Sequence, residues 1–321
     1  MARIKVAAPS KINLHLSVGE RRADGYHGLE SVFQTLDFGD TLGFEVLEEK
    51  GRCDILVDTL PGAVFQIPPE ENIVFKAVSV FRRRTGFNRG LRVFLEKRIP
   101  AGAGLGGGSS DAAAALAALD MLAGTCVSLE ELRDMALSLG SDVPFFLADP
   151  PAGGGGGLWT SRAGSGGAAW VSGRGERILP LESPSWPVLL VNPGFPSPTG
   201  EAFRRLDAWR GGGRGFDRGG TLSPAELAGA LSGDPAAWPY WNDFLPALCG
   251  GDGEYSVYRR ILSALRGGGA GFAGLSGAGS TCFGVFKDRG GAERTAKLLS
   301  NEGFFVYVTF FLARSPFRVL E

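Results

Sequence analysis

Pro100-Ala-Gly-Ala-Gly-Leu-Gly-Gly-Gly-Ser109-Ser110-Asp111 is the stretch on which the reading of this chain turns. Five of the seven residues from Gly102 to Gly108 are glycine, with only Ala103 and Leu105 between them. Just upstream, Leu91, Val93 and Leu95 recur at period two, the pattern of a strand with one buried face. Just downstream, an alanine-rich run predicts a helix from about Ser110 to Leu122. Without Cβ atoms a backbone can approach a ligand closely. The first N–H groups of a helix are unpaired and its dipole is positive at that end. A strand, a glycine loop and a helix start in succession therefore make an anion site suited to phosphates.

Three other readings compete for the same residues. Gly102-x-Gly104-x-x-Gly107 satisfies the dinucleotide pattern G-x-G-x-x-G, but that site needs a strand directly after the helix. In place of that strand stands Ser128-Leu-Glu-Glu131, a capping box. It opens a helix with an apolar face of Leu129, Leu132, Met135, Ala136 and Leu139, and Gly140 is placed to end it. A Walker A loop is excluded because the glycines do not lead into Gly-Lys-Ser/Thr. A plain close-packing turn capped by Ser109 or Ser110 remains open, although five glycines exceed what capping requires.

Outward from the loop, Ile12, Leu14, Leu16 and Val18 alternate with Lys11, Asn13, His15 and Ser17. That pattern predicts a strand from which Lys11 and Asn13 point the same way, off the core and toward whatever covers that face. A turn is expected at Arg22-Ala-Asp24-Gly25, then strands over Ser31 to Asp37 and Thr41 to Val46. In the second half, Val188 to Val191 reads as a buried strand, and Tyr258, Ile261, Leu262 and Leu265 fall at helical spacing. Residues 281–286, 293–299 and 304–312 read as strand, helix and strand. Strands and helices mix without regular alternation, which predicts a small α+β domain there. Two domains fit the length of 321 residues, and we divide the chain at 1–182 and 183–321.

Composition removes whole classes of function. Thirty-three basic against 34 acidic residues argue against a general nucleic-acid binder. No apolar run reaches a membrane span's length of about 18 residues. Lys5 and Lys11 stand where a signal peptide would be apolar, so a cytoplasmic protein with no membrane partner is expected. Cys53, Cys126, Cys249 and Cys282 form no C-x-x-C pair and read as free thiols. With His15 and His27 the only histidines, an H-E-x-x-H site is impossible, and no G-x-S-x-G elbow occurs. The 50 glycines are about twice the ordinary share. Pro150 to Gly167 and Gly211 to Gly220 account for part of that excess, and both read as flexible surface loops.

Pro100-x3-Gly104-Leu-Gly106 through Ser109-Ser110-Asp111-Ala-Ala-Ala resembles the phosphate-binding motif of the GHMP kinases, the galacto-, homoserine, mevalonate and phosphomevalonate kinase family. Ala8-Pro-Ser-Lys11-Ile-Asn13-Leu resembles the family's first motif, and Leu275-Ser-Gly-Ala-Gly-Ser-Thr281-Cys-Phe-Gly its third, a glycine loop that closes the site. Three segments narrow the likeness to the branch whose acceptor is 4-diphosphocytidyl-2-C-methyl-D-erythritol. They are Arg22-Ala-Asp-Gly-Tyr26-His27, Leu95-Glu-Lys97-Arg-Ile-Pro leading into the glycine loop, and Leu139-Gly-Ser-Asp142-Val-Pro-Phe-Phe. The likeness covers nearly the whole chain.

The resemblance implies a two-domain α+β fold: an N-terminal ribosomal-S5-like α/β domain and a C-terminal ferredoxin-like α+β domain, with ATP and acceptor meeting between them. It implies transfer of the γ-phosphoryl of ATP to the acceptor's 2-hydroxyl, in the non-mevalonate route to isoprenoid precursors. A GHMP kinase for another alcohol, such as mevalonate or homoserine, and an inert nucleotide-binding relative are the alternatives. By the same resemblance Asp142 takes the hydroxyl proton and Lys11 supports it, while Asn13 orients the hydroxyl. Taken from the residues alone, Asp142 before Val143-Pro144 equally suits a helix cap, and Lys11 a solvated lysine. Tyr26 and His27 would contact the cytosine, with Phe203 on its other face and Thr199 on the substrate side.

For ATP the implied residues are Asn72 and Lys97 at the adenine and ribose, although Lys97 also suits a solvated strand lysine. The phosphate loop comprises Pro100, Ala101, Gly102, Ala103, Gly104, Leu105, Gly106, Gly107, Gly108, Ser109 and Ser110. Gly277, Ala278, Gly279, Ser280 and Thr281 form the closing loop. No carboxylate is assigned to a metal, so Mg²⁺ is expected to arrive with the nucleotide. The partners implied are small molecules, to a monomer or homodimer. Two departures stand out: the inserted stretch Pro150 to Gly167, and Leu245 after Trp241-Asn242-Asp243-Phe244, where an acidic residue is expected.

Overall fold

Alternating side chains build the first strand, β1 (Arg3–Arg21), which pairs antiparallel with β2 (His27–Leu47). The structure, a computed structural model, describes residues 2–21, 27–59, 71–147, 167–182, 184–212, 222–249, 255–313 and 318–320. The expected turn at residues 22–25 and Tyr26 lie outside these, as do residues 150–166 and 213–220 of the two glycine-rich stretches. Where two strands were expected over residues 31–46, a single long β2 runs through both. It stays in contact with β1 by shifting register between Pro9 and Lys11 and again between Asn13 and His15. Gly39 permits the crossing, because a Cβ there would fall 2.4 Å from the Ala8 carbonyl oxygen.

β3 (Cys53–Thr59) pairs parallel with β4 (Gly90–Lys97), and the helix α1 (Ile73–Thr85) lies between them in the chain. After the glycine loop come α2 (Gly107–Ala123) and α3 (Leu129–Leu139), the latter opened by the expected Ser128–Glu131 capping box. β5 (Ala168–Gly173) pairs with β2 and with β6 (Arg177–Leu181). α2 is apolar nearly all round, with every residue from Ser110 to Asp120 buried. Such a helix belongs in the interior. Its alanines bring it close to α1, α3 and the sheet in one cluster with Phe44, Phe81 and Leu91.

The C-terminal half builds a second sheet from β7 (Pro187–Asn192). Helices α4 (Thr199–Gly211), α5 (Pro224–Leu231), α6 (Phe244–Cys249) and α7 (Ser256–Gly267) come after it in the chain. Then come β8 (Phe272–Leu275), β9 (Cys282–Val285), α8 (Arg289–Asn301) and β10 (Phe305–Phe310). The spatial order β10-β7-β9-β8 is antiparallel throughout. Counting the sheet's own strands, that is fourth-first-third-second, the ferredoxin-like arrangement. The last strand, β11 (Arg318–Val319), returns to pair with β1 in the first sheet.

The halves share a core. Ile12 and Leu14 of β1 pack with Val188, Leu190 and Phe283, while Leu16 and Val18 pack with Leu189, Val191 and Tyr258. The face of β1 expected to point off the core toward whatever covers it is covered, and the reading of Lys11 as solvated fails. Lys11, Asn13 and His15 are all buried, because the glycine loop and the C-terminal half cover the face the alternation left polar. Among the described residues, no helix is long and apolar enough to cross a membrane.

Candidate active site

A cleft of about 530 Å³ runs between the halves, walled by β1, the glycine loop, Asp142, the start of α4 and Gly277-Ala278. The glycine loop needs its glycines for two distinct reasons. Gly102, Gly104 and Gly106 hold positive φ angles of 62°, 76° and 69°. Space is also lacking: a Cβ on Gly104 would lie 2.1 Å from the Ser276 carbonyl oxygen, and one on Gly106 2.9 Å from Lys11 Cγ. The loop is thereby laid against both the closing loop and the lysine. Gly106 is the N-cap of α2 and makes no side-chain cap bond. The helix thus begins three residues earlier than Ser110, and neither serine caps it, which removes the plain-capping reading. The helix's first N–H groups are left facing the loop.

Lys11 Nζ lies 3.1 Å from Asp142 Oδ2 and donates to Asn13 Oδ1 at 2.7 Å. It also sits 4.3 Å from the centre of the Phe33 ring. The Lys11 backbone N–H donates to the Leu105 carbonyl at 2.9 Å, which pins β1 to the phosphate loop. Asn13 Nδ2 donates to Ser31 Oγ at 2.9 Å. Asp142 does not serve as a helix cap: Val143 is the N-cap of the short 3₁₀ turn Pro144–Phe146, with no side-chain cap bond. Its carboxylate stays about one-third exposed toward the cleft. A carboxylate beside a buried ammonium, facing a glycine-rich helix start, is the equipment of phosphoryl transfer to a hydroxyl.

Family models agree with that geometry. Residues 72–149 match the GHMP kinases N terminal domain and residues 240–303 the GHMP kinases C terminal. A 4-diphosphocytidyl-2-C-methyl-D-erythritol kinase from Treponema pallidum (strain Nichols) is 37% identical over 304 residues, covering 94% of this chain and 96% of that protein. One from Anaeromyxobacter dehalogenans (strain 2CP-C) is 38% identical over 305 residues, covering 92% and 84%. The chain belongs to the 4-diphosphocytidyl-2-C-methyl-D-erythritol kinase family. A crystal structure of 4-(cytidine 5'-diphospho)-2C-methyl-D-erythritol kinase superposes with a TM-score of 0.75 at 30% identity, covering 97% of this chain and all of that one. A homoserine kinase from Cytophaga hutchinsonii shares the fold, with a TM-score of 0.63 at 16% identity.

The remaining candidate site residues of this GHMP kinase form two groups. In one the His27 and Phe203 rings stack on each other, 5.0 Å apart with planes 22° from parallel. Phe203 meets Phe244 edge-on at 5.0 Å. His27 Nδ1 donates to the Gly19 carbonyl at 3.0 Å, and its Nε2 lies 3.6 Å from Asp207 Oδ1. Thr199 opens α4 beside them and lines the cleft.

In the other Asn72 lines the cleft while capping α1, its Oδ1 accepting from the Val74 N–H at 2.9 Å. Lys97 is no solvated strand lysine. Its ammonium lies buried between Asp40 Oδ2 and Asp111 Oδ2, the latter at 2.8 Å. Asp40 also accepts from the Ile99 N–H at 2.8 Å. Burial pushes the Asp111 carboxyl up to about 8 despite Lys97, while burial of Lys97 is outweighed by its contacts with Asp111 and Asp40, which raise it. Asp111 Oδ1 has no hydrogen-bond partner and lines the cleft.

The closing loop is fixed by Ser276, which sequence reasoning did not single out. Its hydroxyl donates to the Gly104 carbonyl at 2.8 Å and accepts from the Asn13 N–H at 3.3 Å. Gly277 and Ala278 reach the cleft, whereas Ser280 and Thr281 are turned inward to Asn192, whose Nδ2 donates to their hydroxyls at 3.1 and 3.0 Å. Asp40 and Ser276 left no local signal, since each acts on residues far away in sequence.

Proposed function

We propose that this kinase transfers the γ-phosphoryl group of ATP to the 2-hydroxyl of 4-diphosphocytidyl-2-C-methyl-D-erythritol, giving the 2-phosphate and ADP. The observation that carries the reading is the Lys11–Asp142 pair at 3.1 Å, in one cleft with a five-glycine helix start. Asp142 takes the proton from the acceptor hydroxyl. The freed oxygen bonds to the γ-phosphorus as the bond to the β,γ-bridging oxygen breaks, and ADP leaves. Lys11, 3.1 Å from the Asp142 carboxylate, faces the charge that develops on the phosphoryl oxygens. Asn13, held by Lys11 and Ser31, orients the hydroxyl.

Residues Pro100 to Ser110 cradle the phosphates through backbone N–H groups and the α2 dipole, with Asn72 and Lys97 toward the adenosine. Mg²⁺ enters with the nucleotide as part of the substrate and neutralises the phosphate oxygens. At the far end the acceptor's cytosine lies on a face of Phe203, with His27 hydrogen-bonding to its edge and Thr199 alongside.

The test is ADP release with Mg·ATP against 4-diphosphocytidyl-2-C-methyl-D-erythritol, mevalonate, homoserine, galactose and no acceptor. Release with the first alone is the expected result, and release with a different alcohol overturns the acceptor. His27→Ala should raise the KM for the cytidine acceptor with little change for ATP. An unchanged acceptor KM removes His27 from base recognition.

A further inference from the structure

Asn242 and Asp243, just before α6, send adjacent side chains to two different parts of the site, the closing loop and the end of β1. Their backbone lies along β1 as a one-residue parallel bridge to Leu16. The Leu16 N–H donates to the Trp241 carbonyl at 2.8 Å, and the Asp243 N–H donates to the Leu16 carbonyl at 3.0 Å. Asn242 then spends its whole amide. Nδ2 donates to the Leu275 and Gly277 carbonyls, both at 2.8 Å, and Oδ1 accepts from the Phe244 N–H at 2.9 Å. The two carbonyls flank Ser276, the residue that ties the phosphate loop to Asn13. A Cβ on Gly277 would lie 3.3 Å from Asn13 Oδ1, so this loop packs directly against the group that holds Lys11.

Asp243 faces the other way. Its Oδ2 accepts from the Val18 N–H at 2.8 Å and from Arg210 Nη2 at 3.3 Å. Arg210 spans the end of β1, donating to the Val18 carbonyl at 2.7 Å and the Gly19 carbonyl at 3.2 Å. The Gly19 carbonyl is the same oxygen that fixes His27 Nδ1. One dipeptide thus holds the loop beside the reacting atoms and the strand end beside the aromatic pair.

We propose that Asn242 and Asp243 are positioning residues with separable duties: Asn242 sets the closing loop at the reacting centre, and Asp243, through Arg210, sets His27 at the acceptor's base. Only an amide suits position 242, since both bonds to carbonyl oxygens come from a single nitrogen and a carboxylate would repel them. The assignment of the base end rests on the acceptor reading above.

A KM-against-kcat split tests it. Asn242→Ala should lower kcat on the order of tenfold or more with acceptor KM within about twofold, because misplacement near the chemistry acts on the barrier. Arg210→Ala should raise acceptor KM about tenfold with kcat within about twofold, and Arg210→Lys should recover most of the loss by restoring a donor. Arg210 is a quarter exposed, so that arm survives if Asn242→Ala does not fold. Equal effects of the two variants on both parameters, or no effect, overturn the proposal. Calorimetric titration with cytidine diphosphate separates this from the acceptor reading. If wild type binds it, Arg210→Ala should weaken binding about tenfold while Asn242→Ala leaves it unchanged; loss in both or in neither overturns the split. Wild type that binds cytidine diphosphate yet turns over another alcohol overturns the acceptor reading alone.

Discussion

Lys11 and Lys97 line one cleft, both nearly excluded from solvent, and their surroundings differ in kind. Lys97 sits between two buried acidic side chains, Asp40 of β2 and Asp111 of α2. Lys11 has one carboxylate, Asp142, which stays about one-third exposed, together with a neutral amide and the face of a phenyl ring. A fully enclosed ammonium between two buried acidic side chains is held in place and adds to the architecture under the glycine loop. An ammonium with one partly open partner can share its charge with an incoming phosphoryl group. Burial alone does not distinguish the two lysines; the exposure of the partner does.

Removing the partner's charge should separate them most sharply at Asp142. Asp142→Asn should lose about 10²–10⁴ in turnover, the usual contribution of a positioned base. ATP binding should persist and the melting temperature should barely move, since the side chain is partly exposed and caps nothing. Wild-type turnover in this variant would break the contrast at its reactive end. Lys97→Met should do the reverse. It leaves Asp40 and Asp111 buried without their ammonium, and breaking such a pair costs about 3–5 kcal/mol of folding stability. Denaturant unfolding measures that loss. A stability unchanged in Lys97→Met would mean the cluster does not hold the phosphate loop's foundation.

Much of this contrast lies outside what the sequence reveals. The glycine loop between a strand and a helix was legible, because the flanking periods are clear. The capping box at Ser128 and the helix through Tyr258 and Leu265 were legible for the same local reasons. The start of α2 was not: Gly106 caps it from the left-handed region, while Ser109 and Ser110 advertise a cap they do not supply. Alternation in β1 placed Lys11 and Asn13 on one face but could not say what covers it. The cover over it comes from residues some 90 to 265 positions away, Leu105 and Ser276 among them. Lys97 shows the same limit. Its partners lie 57 and 14 residues distant, and nothing local marks Asp40 as either of them.

The smaller test concerns the proton at Asp111. Burial raises its carboxyl to about 8, far above the ordinary carboxylate value of 3.8, so across the range between them the folded protein holds a proton that the unfolded chain has released. Stability from this group is therefore fully present below the unfolded value and is lost as pH rises toward about 8. Melting temperature should fall across pH 5 to 8 in the wild type. In Asp111→Asn that share of the slope should vanish, because an amide carries no titrating proton and can still accept from Lys97. Equal slopes in the two proteins would mean that Lys97 keeps Asp111 ionised after folding. The cluster would then be a true ion triad, and the difference between the two lysines would rest on enclosure alone.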